Sequence, residues 1–147
     1  MKPVIIFDID GTLADCEHRR YFLNETPPNW KSFNESMVTD CPKRDVVLLY
    51  HTLYDSNLYD IILLTGRYEE YRQVTENWLK SWQIPFNEIY MRKDGDNRKD
   101  AIIKEEILNI LLSEGKQILF TVDDRQQVVD MWRKNGITCF QCDYGDF

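Results

Sequence analysis

One run of apolar residues near the N terminus constrains the fold more than any other feature of the sequence. Val4 to Phe7 is β-branched and aromatic, and it stops at Asp8. Such a run is typical of a strand buried on both faces, as in a parallel sheet covered by helices. Asp10 and Gly11 follow, and two carboxylates at this spacing repel one another unless a metal ion or a proton separates them. The stretch predicts either an acidic site at a strand end or an ordinary Asp-Gly turn.

Two later runs have the same form and decide between these interpretations. Residues 59–64 end at Thr65, and residues 117–122 end at the pair Asp123-Asp124. Ligands of open α/β sheets bind outside the carboxyl ends of the strands, and three coincident polar ends are hard to attribute to turn chemistry. We therefore expect one site, built where these three strands end.

The segments between these runs have helical periodicity. Helices are predicted at about residues 13–24, 30–37, 39–57, 69–82, 97–113 and 126–135, and further strands at 89–91 and 137–142. Alternation of strand and helix predicts a doubly wound, mainly parallel, Rossmann-like α/β sheet with right-handed crossovers. We expect a single domain over residues 1–147, with a small, cap-like helical insertion at about 16–58 after the first strand.

Composition excludes several classes of protein. A hydrophobic content of 43% argues against disorder, and no apolar run is long enough to span a membrane. The N terminus leads directly into the first strand without a signal peptide, which predicts a cytoplasmic protein. A net charge of −7 argues against a broad basic surface for nucleic acid, so any such contact should be local.

Four cysteines raise the question of a zinc site. Cys139 and Cys142 have the spacing of metal ligands, but zinc normally needs two further ligands. Cys16 and Cys41 could supply them only if the fold brought the two ends of the chain together. We predict reduced cysteines that pack in the structure, with no metal and no disulfide.

The predicted site has the chemistry of phosphoryl transfer. Asp8 would attack phosphorus and form an aspartyl-phosphate, while Asp10 would protonate the leaving oxygen and later deprotonate water. Mg²⁺ suits a pocket of carboxylate oxygens, and Thr65 offers a hydroxyl to the phosphoryl oxygens. A lysine should neutralise the intermediate. The candidates are Lys93, Lys99 and Lys104.

These residues resemble the four ordered motifs of the haloacid dehalogenase superfamily. The motifs lie at residues 8–12 and 65–67, at a lysine on a later helix, and at 123–124. The chain is similar, more narrowly, to the 3′-phosphatase domain of bacteriophage polynucleotide kinase/phosphatase. The shared stretches are residues 8–14, 65–67, 97–100, 104–107, 122–125, 127–129, 131–133 and 145–147. The resemblance is weakest at residues 16–58.

The resemblance implies a role for each matching position. Asp8 corresponds to the nucleophile, Asp10 to the general acid and base, and Lys104 to the catalytic lysine. Thr65, a further implied catalytic residue, replaces a serine and keeps its hydroxyl. The implied substrate-binding residues are Arg19, Thr65, Gly66, Arg67 and Asp100. The implied magnesium ligands are Asp8, Asp10, Asp123 and Asp124. Asp100 precedes Lys104 by four residues, so the two should share a helix face.

The sequence thus predicts a Mg²⁺-dependent phosphatase that removes 3′-phosphates from RNA or DNA ends in nucleic-acid repair. A phosphatase of mononucleotides or small metabolites is an alternative on the same core. A phospho-accepting receiver domain uses similar residues, but its acid pair comes first in the chain, whereas here it comes last. No Gly-x-x-x-x-Gly-Lys-Ser/Thr phosphate loop is present, so any kinase or ligase would be a separate partner.

Overall fold

The computed structural model describes residues 1–145 and has seven strands and five α-helices in this range. The strands are β1 (Val4–Phe7), β2 (Ala14–Asp15), β3 (Cys41–Pro42), β4 (Asp60–Tyr68), β5 (Glu88–Arg92), β6 (Ile118–Arg125) and β7 (Cys139–Gly145). The α-helices are α1 (Trp30–Glu35), α2 (Arg44–Asp55), α3 (Arg72–Ser81), α4 (Asp100–Ser113) and α5 (Gln126–Lys134). Three 3-10 helices are Glu17–Asn24, Ser36–Thr39 and Glu69–Tyr71. None of the helices described is long and apolar enough to cross a membrane.

Five strands form one parallel sheet in the order β5-β4-β1-β6-β7, which confirms the predicted doubly wound fold. β1 is central, and each of its residues is at most 1% exposed, as expected for an apolar run buried on both faces. Strand order runs outward from β1 to β5 on one side, then resumes with β6 and β7 on the other. The carboxyl ends of β1 and β6 therefore lie at the point where the order of the strands reverses, and ligands of such sheets bind at this point.

Alternate residues of β1 supply the cores on the two faces of the sheet. Ile5 and Phe7 pack with the apolar side chains of α2 and α3, whereas Val4 and Ile6 pack with those of α4 and α5. This alternation follows from the two-residue period of a strand. Burying one such side chain stabilises the fold by about 1.5–3 kcal/mol, so the two layers fix the strand ends that carry the predicted site.

The insertion after β1 differs from the predicted helices in two places. Residues 13–24 were predicted as one helix, but β2 and a 3-10 helix occupy this segment. The next helix was predicted to begin at Thr39, yet β3 pairs antiparallel with β2 and α2 begins only at Arg44. The physical reason is Asp40, whose backbone is extended, with ψ at 141°. Its side chain is buried against two arginines, and this contact outweighs the preference of Pro42 for a first helical turn.

The C-terminal strand also extends beyond its prediction. β7 was predicted at residues 137–142, but it continues to Gly145, and Tyr144 belongs to it rather than to a tail. Gly145 lies so close to the end of β6 that a Cβ there would be 2.7 Å from the Asp124 carbonyl oxygen. The remainder of the predicted tail and of the last shared stretch, residues 146–147, lies outside the described residues.

Candidate active site

Asp8 and Lys104 meet just beyond the end of β1. Lys104 Nζ, from the first half of α4, donates to Asp8 Oδ1 at 2.9 Å and to Asp123 Oδ2 at 3.1 Å. Thr12 Oγ1 donates to the other carboxylate oxygen of Asp8 at 3.1 Å. The alternative lysines, Lys93 and Lys99, are exposed. Lys104 is therefore the candidate lysine that the fold brings to Asp8.

Three buried carboxylates form the group that could hold a metal ion, which we call the acidic cluster: Asp8, Asp123 and Asp124. One oxygen from each lies within 4.8 Å of the others. Asp123 Oδ1 accepts the backbone N–H groups of Asp124 and Arg125, and its Oδ2 accepts Lys104, so both oxygens are already bonded. Asp124 packs against Gly11, where a Cβ would lie 2.1 Å from its Oδ2. Oxygen donors at this density fit a hard divalent cation such as Mg²⁺.

Burial and mutual repulsion shape the charges of this cluster. Burial raises the pKa of Asp8 well above its ordinary value, and the charge of Asp123 raises it further. Burial likewise raises the pKa of Asp123 and of Asp124. Burial alone would lower the pKa of Lys104, but the surrounding carboxylates, Asp100 foremost, raise it well above its usual value. Lys104 is therefore an ammonium ion that only partly offsets the repulsion among the acids.

Asp10 has a different environment, because two arginines hold its carboxylate. Arg67 Nη2 donates to Asp10 Oδ1 at 2.6 Å, and Arg19 Nη2 donates to the same oxygen at 2.8 Å. Burial by itself would raise the pKa of Asp10, but the charges of Arg67 and Arg19 outweigh it and hold this pKa below its usual range. The Asp10 carboxylate does not belong to the acidic cluster. Its side chain pairs with guanidinium groups instead. The role of Asp10 as a magnesium ligand, which the resemblance implied, stays a prediction.

Asp40 completes this arrangement, and the sequence analysis missed it. Its carboxylate accepts Arg19 Nε at 2.9 Å and Arg19 Nη2 at 2.8 Å, and Arg67 Nη2 lies 3.4 Å away. His18 Nε2 lies 2.7 Å from Asp40 Oδ1, and Trp78 Nε1 donates to the Asp40 carbonyl at 2.9 Å. No motif or periodicity marks this acid in the sequence. Only the contact with residues distant in the chain identifies it.

The guanidinium groups direct most of their donors to acceptors within the protein. Arg67 Nη1 donates to Thr75 Oγ1 at 3.0 Å and lies 3.4 Å from Met37 Sδ. Arg19 Nη1 donates to the Phe33 carbonyl at 3.3 Å, and its guanidinium stands over the Phe33 ring. The resemblance implied that Arg19 and Arg67 bind substrate, and this role stays a prediction. In the structure both side chains contact Asp10, so they fix its charge and orientation.

Thr65 and Gly66 lie in β4, the strand beside β1, and Asp100 begins α4. Thr65 is buried near the end of β4, and its Oγ1 accepts the Arg67 N–H at 3.2 Å. Asp100 is the first residue of α4, and its Oδ2 lies 3.4 Å from Lys104 Nζ, the contact that their helical spacing predicts. Gly66 packs against Asp100 so tightly that a Cβ would lie 2.7 Å from Asp100 Oδ1. Asp100, packed against Gly66, thus contacts the lysine that pairs with the predicted nucleophile.

The cysteines of the C-terminal strand do not face one another. Cys139 belongs to the core beside α4 and α5, whereas Cys142 packs with the core on the opposite face. They are three positions apart, and residues at an odd spacing on a strand point to opposite faces. Cys142 Sγ instead lies 3.7 Å from Thr12 Oγ1. This placement is that of packing thiols rather than of a shared metal site.

Comparison with known proteins places this geometry in a family. The family of the polynucleotide kinase PNKP phosphatase domain matches residues 2–147. A protein of Autographa californica nuclear polyhedrosis virus, described as a putative bifunctional polynucleotide kinase/RNA ligase, is 26% identical over 130 residues. That match covers 88% of this chain and 17% of the viral protein.

Solved structures agree with the sequence comparison. One chain of a Pnkp1/Rnl/Hen1 complex is 36% identical, with a TM-score of 0.80 over 99% of this chain and 48% of that chain. A chain of a Pnkp1/Rnl/Hen1 RNA repair complex is 34% identical, with a TM-score of 0.84 over 99% of this chain and 44% of that chain. A putative phosphatase from Clostridium difficile is 14% identical with a TM-score of 0.68, over 95% of this chain and 84% of that chain, and shares the fold.

These matches confirm the family resemblance read from the sequence, although this chain spans less than half of the two complex chains. The chain belongs to the haloacid dehalogenase-like family of polynucleotide kinase PNKP phosphatase domains.

Proposed function

We propose that this chain is a Mg²⁺-dependent polynucleotide 3′-phosphatase that acts in nucleic-acid end repair. One observation carries the proposal: a buried Asp8, contacted by Lys104 at 2.9 Å, stands beside two further acids where β1 and β6 end. This arrangement can attack phosphorus, bind a divalent cation and neutralise a phosphoryl group within one site. Membership of a family of polynucleotide kinase phosphatase domains supports a polynucleotide substrate.

Asp8 is the nucleophile in this proposal. Its carboxylate oxygen attacks phosphorus, the bond from phosphorus to the 3′ oxygen breaks, and an aspartyl-phosphate forms. Lys104 stabilises the charge that develops on the phosphoryl oxygens, and the Thr65 hydroxyl and nearby backbone N–H groups bind those oxygens. Water then releases phosphate from Asp8, which restores the free carboxylate.

Asp10 transfers protons at both steps. It takes up a proton from solvent when substrate binds, gives that proton to the leaving 3′ oxygen in the first step, and accepts a proton from water in the second. Arg19 and Arg67 hold it ionised before substrate binds, which is the form that the second step requires. An incoming phosphate dianion competes for the same guanidinium charge and so makes protonation of Asp10 easier. Both arginines therefore influence substrate and proton donor together.

The acidic cluster of Asp8, Asp123 and Asp124 would hold Mg²⁺. Asp123 also accepts Lys104 and two backbone N–H groups. The bound ion would supply charge neutralisation between Asp8 and the phosphate. Asp123 then orients Lys104 and the turn that carries Asp124. Asp100 holds Lys104 from the opposite side at 3.4 Å.

The proposal extends to the surroundings of this activity. We propose that residues 1–147 act as one phosphatase unit, with the insertion at about residues 16–58 placing Arg19 and Asp40 beside Asp10. Two of the similar chains come from assemblies that contain further proteins, and both are longer than this one. This supports a kinase or ligase partner, supplied by a separate protein or segment. A cytoplasmic location remains a prediction from the sequence.

A substrate panel tests the proposal. Release of inorganic phosphate is measured with Mg²⁺ from 3′-phosphorylated oligonucleotides, 5′-phosphorylated oligonucleotides, mononucleotides and sugar phosphates. We expect the 3′-phosphorylated oligonucleotides to have the highest kcat/KM and the folded Asp8→Asn protein to be inactive. A preference for free mononucleotides would contradict the polynucleotide substrate and favour a small-molecule phosphatase. Full activity of Asp8→Asn would contradict the mechanism.

A further inference from the structure

Arg92, the last residue of β5, makes a set of contacts that the proposed mechanism does not use. Its side chain is buried, and its Nε donates to the Gly66 carbonyl at 2.9 Å. Its Nη1 donates to two carbonyls of the loop before α4, that of Asp96 at 2.9 Å and that of Arg98 at 2.6 Å. Its Nη2 lies 3.6 Å from Asp100 Oδ1. One guanidinium thus joins the end of β4, the loop after β5 and the start of α4.

We propose that Arg92 is a positioning residue for phosphoryl transfer, acting through Gly66 on the adjacent Thr65 and through Asp100 on Lys104. The proposal rests on the phosphatase function proposed above. Arg92 itself need not touch the substrate. It sets the position of Gly66, which follows Thr65, and the position of Asp100, which contacts Lys104.

Close packing makes the Gly66 contact sensitive to Arg92. Gly66 and Asp100 approach so closely that a Cβ on Gly66 would lie 2.7 Å from Asp100 Oδ1. Arg92 bridges this contact, since it binds the carbonyl of Gly66 and faces the same oxygen of Asp100. Asp100 Oδ1 is buried and accepts no hydrogen bond among the described residues. The guanidinium is therefore a near counter-charge for that oxygen, and its loss would leave the oxygen without this compensation.

Loss of Arg92 would also change the electrostatic attraction between Asp100 and Lys104. Lys104 Nζ lies 2.9 Å from Asp8, 3.1 Å from Asp123 and 3.4 Å from Asp100. Arg92 offsets part of the charge of Asp100. Without that offset, Asp100 attracts the ammonium group more strongly in a buried site where charges are weakly screened. The lysine then shifts toward Asp100 and away from the nucleophile, which lowers stabilisation of the transition state.

Three variants test this proposal. They separate the charge of Arg92 from its hydrogen bonds, and both from a general role in holding the loop before α4. Arg92→Met removes the charge and all donors while keeping length, and Arg92→Lys keeps the charge but not the fork of donors. Arg98→Met is the matched control: its exposed side chain pairs with Asp96 of the same loop and with exposed Glu106 of α4. Thermal unfolding of every variant shows whether the fold persists.

Steady-state kinetics with p-nitrophenyl phosphate and with a 3′-phosphorylated oligonucleotide gives the primary readout. We expect Arg92→Met to lower kcat by about 10–100-fold, with a smaller change in KM, because it displaces groups that hold the reacting ones. Arg92→Lys should recover part of kcat, and Arg98→Met should match the wild type. Activity on p-nitrophenyl phosphate alone would refute the oligonucleotide substrate while leaving the Arg92 measurement intact.

A double-mutant cycle with Asp100→Asn distinguishes positioning from loop support. If Arg92 acts through Asp100, Arg92→Met costs less in the Asp100→Asn background than in the wild type. Binding of orthovanadate, measured by calorimetry, should weaken in Arg92→Met as well, which is a readout independent of turnover. Unchanged kcat and orthovanadate affinity in a folded Arg92→Met protein would overturn the proposal. So would strictly additive losses in the cycle.

Discussion

Replacement of Asp40 tests the arrangement around Asp10 most directly, because this acid is fully buried and holds both arginines. Arg19 donates to it twice, at 2.9 and 2.8 Å, and Arg67 Nη2 lies at 3.4 Å. In Asp40→Ala, Asp10 is left as the sole carboxylate for two buried guanidinium groups. Removing one partner of a buried ion pair costs about 3–5 kcal/mol. For a chain of this size that corresponds to a fall in melting temperature of roughly 10 °C.

Activity should respond even where the fold survives. Asp40→Asn keeps the shape and one acceptor, so we expect a smaller loss of stability than in the alanine variant. Arg19 and Arg67 would still lose the negative charge of Asp40, which now competes with Asp10 for their guanidinium groups. The orientation of Asp10 would change as a result. General acid and base catalysis contributes about 10²–10⁴-fold, so kcat should fall by about 10²-fold or more.

The assay combines thermal unfolding with kcat on a 3′-phosphorylated oligonucleotide. Asp45→Asn is the matched control, since Asp45 is an exposed acid in the first turn of α2 whose side chain accepts the adjacent backbone N–H. It should leave both measurements nearly unchanged. Wild-type kcat in a folded Asp40→Asn protein would refute the view that Asp40 positions Asp10 through the arginines.

Three further predictions concern the lysine, the substrate and the cysteines. Lys104→Ala should abolish turnover while exposed Lys99→Ala costs little; the opposite result would show that the catalytic lysine is misassigned. Affinity for 3′-phosphorylated strands should fall with salt at a log-log slope of about −1 to −2, because a chain of charge −7 makes few phosphate contacts. A steep slope would contradict local recognition. Elemental analysis should find no zinc at Cys139 and Cys142; stoichiometric zinc lost in Cys142→Ser would disprove their assignment as packing thiols.

Sequence signals located the parts of this site that depend on neighbours along the chain. The acid at the end of β1 and the acids at the end of β6 follow apolar runs, so local pattern alone put them at one sheet edge. The helical spacing of Asp100 and Lys104 predicted their contact in the same way. These signals are short-range, and the doubly wound topology then brings the separate pieces together.

The missed parts depend on contacts between distant segments. Asp40 and Arg92 look like ordinary polar residues in the sequence, and only burial against remote partners distinguishes them. The pairing of β2 with β3 was missed for the same reason, since two-residue strands carry no periodicity. Tertiary contacts overrode local preference in these parts of the insertion, where Pro42 enters a strand rather than a helix.

The balance of charge at the site leads to a last prediction. The residues grouped around Asp8 and Asp10 carry six carboxylates and five cations. They are Asp8, Asp10, Asp40, Asp100, Asp123, Asp124, Arg19, Arg67, Arg92, Lys104 and Arg125. Fully ionised, they hold one excess negative charge, and the raised pKa of Asp8 reflects burial and repulsion within the acidic cluster. A divalent cation bound at the acidic cluster would offset that repulsion. Mg²⁺ at a hundred times its Kd should therefore stabilise the folded protein by about 2.7 kcal/mol, which raises the melting temperature.

The variant Asp124→Asn tests this. It should melt at a higher temperature than the wild type without Mg²⁺, because it removes one repelling charge, and its melting temperature should rise less when Mg²⁺ is added. Asp143→Asn, at an exposed acid paired with Lys43, should show neither effect. A lower melting temperature of metal-free Asp124→Asn, with an undiminished response to Mg²⁺, would place the cation elsewhere.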